Sequence, residues 1–292
     1  MIRIEQNFLI KNTLQFFVKL SVTDLQRLLE KIRLHKFLFS SLLATGIIML
    51  LANLLTDDSR TLVTDLLYVP IPASVLVLSI MITLRFKMSG KHGKAWIVFV
   101  IFAASWFTAE QIWLVYELVF NLDPWPSVAD FFYILGYPLL FVFSVFYLQP
   151  VRKAISKKLV ISSSLISLSL LIFTFILTYQ PDSSENDFEV ALAASYPVLD
   201  AIVLCPALIG VSLFFRGEVS FLWSLMCIAI LLNVIGDTGF LMLSMADSYY
   251  TGHPIDLLYL WAYILFAFGV YSHIRIFQSR IDEPYENASE LR

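Results

Sequence analysis

Six carboxylates map to the outer half or middle of the apolar stretches of this sequence: Asp65, Glu110, Asp130, Asp200, Asp237 and Asp256. Three of them open the same polar phrase, Asp65-Leu-Leu-Tyr68, Asp130-Phe-Phe-Tyr133 and Asp256-Leu-Leu-Tyr259, and Asp200 comes shortly after Tyr196-Pro197. An acid and a tyrosine three positions apart share a helix face, so the phenol can donate to a carboxylate or wall in an apolar ligand. No Lys or Arg lies at their depth. Either several of the acids keep a proton, or they bind a cation. Asp65, Asp130 and Asp256 are each expected to begin a helix, where a carboxylate caps free N–H groups. Capping does not serve Glu110, Asp200 and Asp237, which point instead to a polar ligand or ion site. The candidate ligand-binding set is Glu110, Asp130, Tyr133, Tyr137, Tyr196, Asp200, Asp237, Asp256 and Tyr259, with no catalytic set and no metal-ligand set.

These residues need a scaffold that crosses a membrane. Of 292 residues, 59% are hydrophobic and 15% charged, which a soluble domain does not match. A span takes about 20 mostly apolar residues. Eight such runs occur, near 37–55, 62–84, 96–120, 131–148, 159–179, 190–215, 219–243 and 257–277. The intervening segments alternate in charge. Nineteen of the twenty Lys and Arg fall on one side, and the other side holds only Arg60 beside Asp57, Asp58, Asp123, the acidic stretch 182–189 and Asp247. The positive-inside rule then places both termini in the cytoplasm of a multi-pass plasma-membrane protein. An Asp at mid-membrane costs about 2.5–3.5 kcal/mol on insertion scales and usually faces the protein interior. Glu117 is close enough to the outer end of its span to reach lipid headgroups.

The fold class is all-α and polytopic: eight transmembrane helices arranged as four repeated hairpins. A longer repeat overlies the hairpins. Trp106-Phe-Thr-Ala-Glu110 and Asp130 to Tyr137 resemble Asn233-Val-Ile-Gly-Asp237 and Asp256 to Tyr263, offset by 127 and 126 residues. Repeat-built membrane proteins place sites where their repeats meet, here an outward-facing acidic and aromatic pocket. Pro70, Pro72, Pro138, Pro197 and Pro206 fall in the same spans. Each frees a backbone carbonyl that must find a partner in protein or trapped water. Around the transmembrane domain, 34–279, lie an amphipathic interfacial or cytoplasmic helix, 1–33, and a cytoplasmic tail, 280–292. The helix carries a capping box at Thr23 and Gln26.

Other classes find little support. The basic residues are spread over several loops, so nucleic acid is not a partner; the bilayer is. The charged first 20 residues lack the apolar core of a cleavable signal. Cys205 and Cys227 fall within spans and read as inert buried thiols. His35, His92 and His273 read as loop histidines in water, whereas a zinc hydrolase would want several His converging with an Asp. No cofactor is expected beyond an unidentified cation.

The stretch Pro126-Ser-Val-Ala-Asp130-Phe-Phe-Tyr133-Ile-Leu-Gly-Tyr137-Pro138 resembles an element of the N-terminal multi-spanning sensory module found in bacterial and archaeal diguanylate cyclases (GGDEF proteins) and sensor histidine kinases. Tyr196-Pro197-Val-Leu-Asp200, Gly236-Asp237 and the 252–263 ending match further elements of that module, in the same order. The likeness covers roughly residues 95–275 and departs at Ala109-Glu110, where Gly-Asp or Ala-Asp is common. It implies a sensory role. With no output domain in these 292 residues, the expectation is a stand-alone module that signals to a separate cytoplasmic or membrane protein, alone or as a homo-oligomer. Two other functions compete: a transporter or ion-translocating protein, which the prolines and mid-span Asp200 favour, and a lipid hydrolase of lysoplasmalogenase type, which Gly236-Asp237 superficially resembles.

Overall fold

A computed structural model describes residues 33–85, 90–178, 187–215 and 221–289. Regular structure there is entirely helical: α1 (Arg33–Ala52), α2 (Asp57–Leu67), α3 (Pro70–Arg85), α4 (Gly90–Leu114), α5 (Val128–Leu148), α6 (Lys157–Thr178), α7 (Asp187–Phe215), α8 (Phe221–Met245) and α9 (Asp256–Ser289). A π-helical turn, Val115–Val119, extends α4, and a 3-10 turn, Gln149–Ala154, follows α5. Among the described residues eight segments are long and apolar enough to cross a membrane, α2 and α3 together making one of them. The protein is therefore built as a multi-pass membrane protein. The amphipathic segment expected over 1–33 lies outside the described residues except for Arg33, and α9 continues as helix through the start of the expected tail.

The chain divides into two units between Ala44 and Thr45. Of the first unit, the structure describes only the opening turns of α1. In the second, six helices pack in a closed cycle: α3 against α4, α4 against α5, α5 against α7, α7 against α8, α8 against α9, and α9 back against α3. α6 leans on α7 and α8 from outside the cycle. It turns Ile161, Leu165, Ile172 and Phe173 outward. An apolar surface of that kind suits lipid and is a liability in water.

Lipid tails are as apolar as the side chains, so helices in a membrane associate through close packing and hydrogen bonds. The cycle is filled accordingly. Where α4 and α8 begin, Trp96, Phe99, Phe102, Phe143, Trp223 and Phe266 are each at most 1% exposed. Their rings interlock, with Phe99 and Phe143 centroids 4.7 Å apart and Tyr147 stacked on Trp223 at 4.4 Å. Glycine lets the backbones close on them. A Cβ at Gly136 would lie 2.0 Å from the Trp106 indole nitrogen, and one at Gly210 would lie 2.4 Å from the Cys227 sulfur. His273, expected in water, is instead 8% exposed, against Trp96 and within 3.0 Å of the Tyr147 hydroxyl. The eighth span runs beyond its position, so the residue belongs to helix and not to a loop.

The prolines act as their chemistry requires. Pro70 and Pro72 split span two into α2 and α3, with the joint at Tyr68 and Val69. Pro72 has no N–H for the Tyr68 carbonyl four residues back. Gln111 Nε2 of α4 donates to that carbonyl instead, at 3.2 Å. In α5, the turn preceding Pro138 receives two donors from α4: Ser105 Oγ to the Phe132 carbonyl at 2.7 Å, and Trp106 Nε1 to the Tyr133 carbonyl at 3.1 Å.

A carboxylate and tyrosine cavity

A cavity of about 900 Å³ opens where α4 and α8 finish and α5, α7 and α9 begin. Its wall includes Glu110, Asp130, Tyr133, Tyr137, Tyr196, Asp237, Asp256 and Tyr259, eight of the nine residues singled out in the sequence. No Lys or Arg among the described residues is part of that wall.

Two acids from the ascending helices form its centre. Glu110 of α4 accepts from the Tyr263 hydroxyl of α9 at 2.7 Å and has the Tyr133 phenol of α5 beside it. Asp237 of α8 accepts from the Tyr259 hydroxyl of α9 at 2.8 Å and from the Tyr137 hydroxyl of α5. Glu110 thus ties α4 to α9, and Asp237 ties α8 to both α5 and α9, through tyrosine phenols. A hydrogen bond to a charged group contributes about 1.5–3 kcal/mol, and more is lost if the buried partner is left bare. The surroundings match as well: Tyr68 meets Tyr263 edge-on at 6.4 Å and 88°, and Tyr196 meets Tyr137 edge-on at 6.2 Å and 82°.

Asp130 and Asp256 do two jobs each. Asp130 Oδ2 accepts from the Ser127 amide at 2.7 Å, closing a capping box at the start of α5, while Oδ1 accepts from the Tyr196 hydroxyl at 2.6 Å. Asp256 Oδ2 accepts from the Gly252 amide at 2.8 Å and Oδ1 from the Tyr249 hydroxyl at 3.1 Å. Burial, then the neighbouring Asp256 charge, pushes the Tyr249 phenol well above its ordinary pKa, so it remains a donor. Gly252 has φ +91°, a conformation side-chain-bearing residues avoid. Arg60 braces the same loop: Nε donates to the Thr251 carbonyl at 3.1 Å, the guanidinium covers the Tyr250 ring at 4.2 Å, and one nitrogen pairs with Asp57 at 2.9 Å.

Two acids depart from expectation. Asp200, proposed as a wall residue, lies behind the wall at 2% exposure, against Asp237 and Tyr137, with Oδ1 lacking a hydrogen-bond partner. It sits more than three turns into α7. Asp65 does not begin a helix, because α2 starts at Asp57 and ends soon after Asp65. Its side chain is 3% exposed and lines the cavity, and its Oδ2 has no hydrogen-bond partner. Glu117, in the π-helical turn, is also part of the cavity wall, where it accepts from Trp113 Nε1 at 3.0 Å and from the Thr251 hydroxyl. Such turns are frequent at functional sites.

Sequence reading missed Tyr263, Tyr249 and Asp65 as members of the site. Tyr263 was findable, since it lies two helical turns below Asp256 on the same stripe; Tyr249 sits in a loop with no periodicity to read. Among the described residues no three His, Cys, Asp or Glu side chains converge closely enough to hold a metal ion. Comparison with family models, curated proteins and solved structures finds no match to this chain.

Proposed function

We propose that the chain is a ligand-binding membrane module of the sensory kind, receiving a small molecule in the carboxylate and tyrosine cavity. The observation that carries this reading is the pair of acids, Glu110 and Asp237, held by tyrosine phenols beside a large open volume, Glu110 by one from α9 and Asp237 by one from α5 and one from α9. Acids placed so deep in a membrane protein are costly and mark functional sites. A ligand competing for those phenols would loosen or tighten the tie between α5 and α9. That motion would be handed to a signalling partner at the opposite end of the helices.

Orientation follows from charge: the acidic end outward, and the basic loops with both termini in the cytoplasm. The module is further read as two halves, α3–α4–α5 and α7–α8–α9, related by the 126 to 127 residue offset. Supporting that reading, exchanging the halves leaves the cyclic packing order unchanged and exchanges the Glu110–Tyr263 bond with the Asp237–Tyr137 bond. The likeness to the sensory modules of diguanylate cyclases and histidine kinases agrees with the same role.

Native mass spectrometry of gently solubilised protein tests the reading. A small-molecule adduct is expected on the wild type and absent from the Glu110→Gln/Asp237→Asn double variant. An adduct that survives the double variant, or no adduct in either, overturns it. Transport is the second reading, favoured by the broken span at Tyr68 and by the buried Asp200 and Asp237 pair. Flux in proteoliposomes, dependent on Asp200, would establish it in place of sensing.

A further inference from the structure

Resting on the ligand-binding reading, we infer that the cavity takes an organic cation: an ammonium head anchored at Asp65 with an apolar or aromatic body lying among the wall rings. Four of the acids, Glu110, Asp130, Asp237 and Asp256, already accept hydrogen bonds from tyrosines. They supply a negative field but are not free to turn onto a guest. Asp65 differs. It is 3% exposed and part of the cavity wall, its Oδ2 is buried there without a partner, and it lies within the electrostatic reach of Glu110, Glu117 and Asp256. A buried carboxyl oxygen left without a partner among other acids is completed by a guest that brings positive charge.

The wall selects the kind of cation. Indole and phenol faces attract organic cations, each worth about 2 kcal/mol or more once desolvated. Trp106, Trp113, Trp125 and Tyr133 are all on this wall. The acids are distributed around the cavity, and no three converge at ligating distance, so a small metal ion is a poorer fit than a charge on a bulky body. About 900 Å³ is the volume of a pocket for a drug-sized molecule and far exceeds that of a bare ion. Arg60, the basic residue nearest this end, is engaged with Asp57, Thr251 and the Tyr250 ring at the rim. It leaves the positive role open.

The test uses protein in dodecyl maltoside and four probes: phenyltrimethylammonium, its uncharged carbon isostere tert-butylbenzene, benzenesulfonate, and calcium. Thermal unfolding and tryptophan emission report binding. Phenyltrimethylammonium is expected to bind at least about tenfold more tightly than the isostere, with no response to benzenesulfonate or calcium. Asp65→Asn should lose about tenfold or more of the ammonium affinity while leaving tert-butylbenzene unchanged. Equal binding of ammonium and isostere, or a response to calcium in place of the ammonium, overturns the inference, as does a folded Asp65→Asn protein with unaltered affinity. Should that variant fail to fold, the wild-type ranking of the four probes decides alone. Binding of tert-butylbenzene without preference for charge sinks the cation inference and leaves the pocket standing. Silence from every probe also sinks it, and the adduct comparison in the double variant judges the pocket separately. Added phosphatidylethanolamine separates two sources of the same chemistry: suppression of probe binding identifies a lipid headgroup, and no suppression identifies a free amine.

Discussion

A buried carboxylate in a membrane helix is tolerable when something donates to it, and here phenols do so in place of lysine or arginine. Tyrosine suits the task because its ring packs like an apolar residue while its hydroxyl reaches the acid. Removing one such donor exposes the asymmetry of buried hydrogen bonds. Tyr263→Phe should lower stability by about 1–3 kcal/mol, read as a drop in unfolding midpoint in detergent, whereas Glu110→Gln keeps an acceptor for Tyr263 and should cost less. Gln111→Leu should destabilise by a comparable amount, about 1–3 kcal/mol, because the Tyr68 carbonyl left by Pro72 would lose its donor. The acids were legible in the sequence because nothing topogenic explains a carboxylate inside an apolar run. Which tyrosine serves which acid was not, since Glu110 and Tyr263 are 153 residues apart and no periodicity spans that distance.

At the level of helices, proline breaks and glycine contacts decide the geometry. Pro70 and Pro72 announced a break in span two, but the start of α2 at Asp57 was hidden because the apolar run begins only at Leu62. A helix can begin in polar sequence ahead of its hydrophobic stretch, and that is why Asp65 was taken for a cap. The close approach of α4 and α5 depends on Gly136. Gly136→Ala should push the Trp106 indole off the Tyr133 carbonyl and destabilise by about 1–3 kcal/mol, visible as a lowered midpoint with a shift in tryptophan emission. Arg60→Ala should act on one loop and leave the bundle intact. Its expected signature is faster amide exchange at Thr251 and Gly252, with the aromatic core near Trp96 unchanged.

For the molecule as a whole, the number of spans was readable from composition and charge, and the cyclic order of six helices was not. Hairpin neighbours follow from chain continuity, but the contacts of α3 with α9 and of α5 with α7 join distant segments that only packing can pair. The orientation is open to a direct check. In a protein lacking Cys205 and Cys227, Asp123→Cys should react with an impermeant maleimide added outside intact cells, and Lys153→Cys should react only after the membrane is opened. The interlocked rings of Trp96, Phe99, Phe102, Phe143 and Phe266 carry a consequence for electrical behaviour. Transmembrane voltage drops across the dry part of a protein, at about 2.3 kcal/mol per charge per 100 mV. With the dry part concentrated in that stopper, a charged guest reaching the cavity from the acidic end traverses little of the drop. Its occupancy should track concentration on that side of the membrane and ignore the resting potential.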